Sequence, residues 1–215
     1  MDILKVLLTF VIAYLCGSIS FAVIFSKVAG KDVRTMGSGN AGSTNMLRNF
    51  GIKLAAFTFA GDFLKGAFGV FLAGVINAGN PALAVIKEAT VVFLILGHMK
   101  PLFFSFKGGK GVATALGALC ILSPKLFLAI LAVGVSIAGI SGYVSLAAIT
   151  LASLYPIATA YLTFISGGIS TMGYIYIGIS FVIASMILFS HRTNIKRLLN
   201  HEENSIYKNR RKSHG

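Results

Sequence analysis

Two glycine-rich stretches of this chain hold residue types suited to gripping phosphate. The first runs Arg34-Thr35-Met36-Gly37-Ser38-Gly39-Asn40-Ala41-Gly42-Ser43-Thr44-Asn45-Met46-Leu47-Arg48. Its glycines let the backbone turn tightly and bring amide N–H groups close to an anion. Ser38, Asn40, Thr44 and Asn45 add neutral hydrogen bonds, and Arg48 adds a two-pronged cation. The second is Gly97-His98-Met99-Lys100-Pro101 followed by Phe106-Lys107-Gly108-Gly109-Lys110-Gly111, which opens an apolar helical run at Val112. A glycine turn at a helix N-terminus offers unpaired amides and the positive end of the helix dipole, with Lys107 and Lys110 beside it. It is not the nucleotide-binding GxxxxGK[ST] loop, because Lys110 is followed by Gly111 and no acid stands ready to hold magnesium. Plainer readings exist for both: a re-entrant loop that satisfies its own backbone, and a basic turn placed by the charge asymmetry of membrane proteins.

A third cluster, His191-Arg192-Thr193-Asn194-Ile195-Lys196-Arg197, sets an imidazole and an amide three residues apart on one helix face. His191, like His98, is equally readable as a cap at a helix C-terminus. Within Gly61-Asp62-Phe63-Leu64-Lys65-Gly66 an acid and a base lie inside an apolar run, where charge is expensive. They are expected to face the bundle interior, either pairing with each other or lining a substrate path. Ser145 lies just inside the start of another apolar run and would be unremarkable alone. Cys16 and Cys120 lack metal-ligand or redox spacing and read as small buried residues.

The elements that must carry these groups are membrane spans. Of 215 residues 56% are hydrophobic and only 12% charged, and the mean hydropathy is +0.84, against roughly 25% charged residues in a soluble domain. Apolar segments run Ile3 to Ser26, Leu54 to Ile76, Ala84 to Phe104, Val112 to Leu122, Leu126 to Ile140, Tyr143 to Ile165 and Thr171 to Ser190, separated by Gly-, Pro-, Ser- or Lys-bearing breaks such as Ser123-Pro124-Lys125 and Ser166-Gly167-Gly168. An all-α bundle of seven transmembrane helices follows, occupying residues 1–199 as one unit, with a basic tail over 200–215. The first segment is too long for a signal peptide and stays as a span.

Two segments, Val112 to Leu122 and Leu126 to Ile140, fall short of the ~20 residues that cross a bilayer, so one tilted span is their rival. Parity decides. With seven spans and the N-terminus outside, one side receives fifteen of the 19 basic residues and the other three (Lys5, Lys87 and Lys125), with Lys65 inside a span. That asymmetry puts the C-terminus and all three polar clusters in the cytoplasm. The net charge of +13 suggests nucleic acid, but the basic residues lie between spans with no aromatic platform among them, so no nucleic-acid partner is expected. The Lys208 to Lys212 run is expected to lie loosely on anionic lipid, with no role beyond orientation.

Taken in order, these stretches resemble the bacterial acyl-phosphate:glycerol-3-phosphate acyltransferases, the PlsY family, over nearly the whole chain. The resemblance rests on Gly17-Ser18-Ile19-Ser20-Phe21, on Gly37 through Asn40 with Thr44, Asn45, Leu47 and Arg48, and on Asp62 to Gly66. It continues in Gly97-His98, Phe106 to Thr114, Tyr143-Val144-Ser145-Leu146, and His191-Arg192 with Asn194 to Leu199. It implies phosphate-binding and catalytic roles for Ser38, Arg48, Lys107, Ser145, His191 and Asn194. Gly37, Gly39, Asn40, Thr44, Asn45, Asp62, Lys65, His98, Gly108, Gly109, Lys110 and Gly111 are expected to help bind substrate. Four positions depart from the family pattern: Ser20 replaces the usual Pro, Ser43 Ala, Gly142 Arg and Thr193 Glu. The last two losses offset each other if that base and acid pair.

The implied reaction moves a fatty acyl group from acyl phosphate to glycerol 3-phosphate and yields lysophosphatidic acid and phosphate. Acyl phosphate is a mixed anhydride that a hydroxyl attacks directly, so no covalent enzyme intermediate is required. His191 or the substrate phosphate takes the proton. No cofactor or metal is expected, and the enzyme is expected to act as a monomer in the bacterial inner membrane with its site facing the cytoplasm. Thioester-dependent acyltransferases instead need His followed five positions later by Asp, where this chain has Phe103 and Lys196. A transporter of phosphate-like anions is the non-enzymatic alternative, but it would place polar groups at the midplane.

Overall fold

The computed structural model describes residues 2–166 and 170–207. Two expectations, for the glycines of the Ser166-Gly167-Gly168 break and for the Lys208 to Lys212 run, lie outside those residues. All regular structure among the described residues is helical, and the chain divides into two compact units, Met1–Pro124 and Lys125–Gly215.

In the first unit α1 (Ile3–Gly17) and α2 (Phe21–Val28) form one apolar span with a break, not the continuous helix expected from the apolar pattern. Asp2 caps α1 by accepting from the Lys5 N–H at 3.3 Å, and the helix ends where the Ser18 hydroxyl donates back to the Tyr14 carbonyl at 2.8 Å. Then α3 (Ser43–Ile76) begins well before the expected Leu54 and is interrupted at Gly51, whose φ of 81° and ψ of 178° suit glycine. Residues 43–50 are therefore a helical turn of the first glycine-rich stretch, and residues 52–76 supply the span.

The unit continues with α4 (Leu83–Met99) and α5 (Val112–Leu122). Pro101 stops α4 by disfavouring helical geometry at Lys100, and the Tyr14 hydroxyl donates to the Lys100 carbonyl at 2.8 Å. Small residues let these helices approach closely, as they do where lipid supplies no hydrophobic drive. A Cβ on Gly117 would sit 1.8 Å from the Phe63 carbonyl oxygen, and one on Gly66 would sit 2.0 Å from that of Thr114, so α3 and α5 meet backbone to backbone. Gly17 and Gly97 do the same between α1 and α4. A buried cluster of Ala22, Val23, Val33, Ala41, Met46 and Ala55 fixes α2 and the start of α3 beneath the first glycine-rich stretch.

The second unit holds α6 (Pro124–Ser141), α7 (Val144–Ile165), α8 (Thr171–Ser190) and α9 (Arg192–Leu199). α7 packs on α8, and Ser170 caps α8 by accepting from the Gly173 N–H at 3.2 Å. Among the described residues five stretches are long and apolar enough to cross a membrane: Ile3–Val28, Ser43–Ile76, Pro124–Ser141, Val144–Ile165 and Thr171–Ser190. α4 and α5, at 17 and 11 residues, are shorter.

Candidate functional site

Within the first unit the two glycine-rich stretches lie side by side. Arg34 Nη1 donates to the Phe104 carbonyl at 2.8 Å, and the Ala41 N–H reaches the Gly108 carbonyl at 3.4 Å. The join is held by a charge clamp. Asp32 accepts from Arg34 Nη2 at 2.7 Å and Nε at 3.0 Å, and that guanidinium holds the Asp32 carboxyl below its usual 3.8, at about 2.

A carboxylate whose pKa is depressed on folding stabilises the fold above its unfolded value and stops doing so as pH falls through the folded one. The stability gap between the native protein and Asp32→Asn should therefore stay constant from about pH 5 to 8 and close between about pH 4 and 2. Thermal unfolding in detergent across that range measures it. A gap that changes near neutrality, or persists at the acid end, would show that Asp32 does not hold the loop in this way.

Asn45 organises the first loop from inside. Buried at 2% exposure, it donates to the Val33 and Met36 carbonyls at 3.1 and 2.9 Å and accepts from the Ser38 N–H at 3.2 Å. Its amide is thus committed to backbone and, through Oδ1, to Asn49 Nδ2 at 3.0 Å. Around it Gly37, Ser38 and Gly39 are exposed, while Asn40, Thr44 and Arg48 are half-buried. In the neighbouring turn Lys107 is exposed, Gly108, Gly109 and Lys110 are half-buried, and Gly111 starts α5 with φ 85°. Backbone amides, two lysines and neutral side chains thus share one polar surface.

Asp62, Lys65 and His98 lie beneath that surface, at 2, 6 and 6% exposure. Lys65 Nζ is 2.8 Å from Asp62 Oδ1, an ion pair whose angles fall short of a hydrogen bond, and it also donates to the Ile19 carbonyl at 2.6 Å. His98 Nδ1 lies 3.5 Å from the same Asp62 oxygen and 3.3 Å from Thr114 Oγ1. Both readings of the acid and base had merit, but the geometry turns them on each other. Removing one member of such a buried pair costs about 3–5 kcal/mol, because the other is left charged and alone.

The second unit carries the remaining candidates. His191 ends α8, is 3% exposed, and sets Nδ1 2.8 Å from the Ile187 carbonyl. A carbonyl only accepts, so the neutral ring carries its proton on Nδ1 and Nε2 is the basic nitrogen. Asn194, in the first turn of α9, donates through Nδ2 to both Glu203 carboxylate oxygens at 3.1 Å. Ser145 opens α7, and its buried Oγ has no hydrogen-bond partner among the described residues.

Glu203 is the residue that sequence reasoning missed. It is 6% exposed and also accepts from Arg197 Nε at 3.1 Å. The described part of the tail is therefore more than a charged extension. The Ile206 N–H donates to the Gly142 carbonyl at 2.9 Å, and the Tyr207 hydroxyl donates to the Gly139 carbonyl. A Cβ on Gly142 would sit 2.5 Å from Ser205 Oγ, so Gly142 is where the tail docks. The available signal was an acid in a chain with only 6 acidic residues against 19 basic ones.

The family model described as glycerol-3-phosphate acyltransferase matches residues 7–201. The chain is similar to the glycerol-3-phosphate acyltransferase of Bordetella pertussis, with 44% identity covering 92% of this chain and 90% of that protein. To that of Clostridioides difficile it shows 37% identity, covering 96% and 98%. Among solved structures it is similar to PlsY, an integral membrane glycerol 3-phosphate acyltransferase. The glycerol 3-phosphate form superposes with a TM-score of 0.80 at 37% identity, covering 94% of this chain and 95% of that one. The lysophosphatidic acid form gives 0.78, covering 93% and 94%.

Proposed function

This chain belongs to the glycerol-3-phosphate acyltransferase family, and from that premise we propose that it transfers a fatty acyl group from acyl phosphate to glycerol 3-phosphate, releasing lysophosphatidic acid and phosphate. The observation that carries the reading is the join between the two glycine-rich stretches in the first unit, through Arg34 to Phe104 and Ala41 to Gly108. Donor and acceptor each bring a phosphoryl group, and their repulsion must be offset where they meet. The positive N-terminus of α5, with Lys107, Lys110 and Arg48, supplies that compensation. Ser38, Asn40 and Thr44 add neutral donors and acceptors.

In the reaction the glycerol hydroxyl oxygen attacks the acyl carbonyl, the bond from that carbonyl to phosphate oxygen breaks, and phosphate leaves with the electron pair. The hydroxyl proton passes to His191 or to a substrate phosphate. Holding Nδ1–H on the Ile187 carbonyl gives His191 a basic Nε2 for the first route. Ser145 and Asn194 are assigned to orienting the reacting groups. Asn45 acts one step removed, by shaping the loop. Incubation of the purified protein with acyl phosphate and labelled glycerol 3-phosphate should yield lysophosphatidic acid and phosphate in equal amounts. If no labelled lipid forms, the reading fails.

We further propose that all seven apolar helices enter the membrane of a bacterial cell, with residues 1–199 as the membrane domain, the N-terminus outside and the polar clusters cytoplasmic. The fifteen-to-three division of basic residues supports this orientation. At ~1.5 Å per residue α5 is too short to cross alone, so its flanks must enter the interface. A C-terminal reporter should be active only on the cytoplasmic side. Activity on the outer side would change the parity and merge α5 with α6.

A further inference from the structure

We infer that Asp62, Lys65 and His98 form a positioning device that sets the phosphate-facing turn and ties it to the break in the first span. The inference rests on the proposed reaction in taking the Lys107 to Gly111 turn as the seat of the donor phosphate. Three ionisable side chains, none more than 6% exposed, are costly in a bundle of apolar helices. Their polar atoms are directed at one another and at backbone.

Each contact reaches a different element. Lys65 on α3 holds the Ile19 carbonyl at 2.6 Å, an oxygen stranded between α1 and α2 where no helical partner exists. Asp62, one turn earlier, bridges that lysine to His98 at the end of α4. His98 then meets α5 through Thr114 Oγ1 at 3.3 Å and the turn through its carbonyl, which accepts from the Gly109 N–H at 3.1 Å. Its ring is packed so closely beneath the turn that a Cβ on Gly109 would sit 2.1 Å from Nε2. An apolar trio would fill the same volume but would define no single placement of the turn. A network of ion pairs does, because any shift leaves a buried charge without its partner.

The experiment measures initial rates with both substrates varied, in reconstituted enzyme, for His98→Ala, Asp62→Asn and the paired Asp62→Asn/Lys65→Met. KM for acyl phosphate should rise about tenfold in each, the equivalent of one charge-assisted hydrogen bond, while KM for glycerol 3-phosphate stays within about twofold. Adding His98→Ala to the paired variant should cost nothing further, because both act through one network. The paired variant removes both charges together, so it tests the idea even if a single substitution prevents folding. Hydrogen exchange at the Gly108 and Gly109 amides needs no turnover and should quicken in the same variants. Equal rises in both KM values, additive losses, native kinetics in the paired variant or unchanged exchange at the turn would each overturn the inference. Failure of the unmodified protein to form lysophosphatidic acid would sink the proposed reaction, and the exchange measurement would still decide whether the network holds the turn.

Discussion

Lys107→Ala and Arg48→Ala should each lower kcat/KM by about 10- to 100-fold. A hydrogen bond to a charged group contributes roughly 1.5 to 3 kcal/mol, and each 1.4 kcal/mol is a factor of about ten. The two residues lie on the stretches that Ala41 and Gly108 join, Lys107 exposed in the turn and Arg48 half-buried in the helical segment before Gly51. Lys53 provides the control. It is also exposed and basic but follows the Gly51 break, so Lys53→Ala should stay within about twofold if placement matters more than net charge. Near-native kinetics in both correctly inserted mutants would remove the cradle, and an equal loss in Lys53→Ala would reduce it to a general field.

What could be read from sequence was what chain-local chemistry dictates. Gly111 on one side and Ser123-Pro124 on the other punctuate the fourth apolar run, and α5 spans Val112–Leu122 as expected. Clustered glycines and polar residues likewise marked both loops. Continuity of apolar residues, by contrast, hid the break after Gly17, because a stranded carbonyl leaves no trace in composition when a lysine from another helix answers it. The pairing of Asp62 with Lys65 was legible from their spacing of three. His98 as their third member was not, since it reaches them only when α4 packs in the bundle.

Glu203 shows the same limit more sharply. Its partners Asn194 and Arg197 lie in a helix with no periodic relation to the tail, so nothing local predicts that the chain turns back at His201, where φ is 57°. Charge composition argued the other way, for a solvated basic extension. The two family departures at Gly142 and Thr193 also acquire a physical setting. Gly142 is covered by Ser205 and Tyr207, and Glu203 is held by Asn194, the residue after Thr193.

The proposed donor fits the way the charges are already committed. Acyl phosphate should support turnover, whereas acyl-coenzyme A and acyl-carrier protein should be slower by at least about 100-fold, because neither carries a phosphate on its acyl carbon, the group proposed to sit at the Lys107 to Gly111 turn. No stretch of the sequence resembles a nucleotide site, and neither His98 nor His191 is followed by Asp at the spacing thioester donors require. Activity should also survive EDTA. Magnesium is held through carboxylates, and here Asp32 is engaged by Arg34, Asp62 by Lys65, and Glu203 by Asn194 and Arg197. In the proposed reaction the lysines and the N-terminus of α5 oppose the phosphate charge, so no metal is called for. Parallel assays with the three donors, each with and without EDTA, decide both points. Efficient turnover of either thioester would mean that the turn does not select the donor, and loss of activity in EDTA would mean that some of these carboxylates leave their partners when substrate binds.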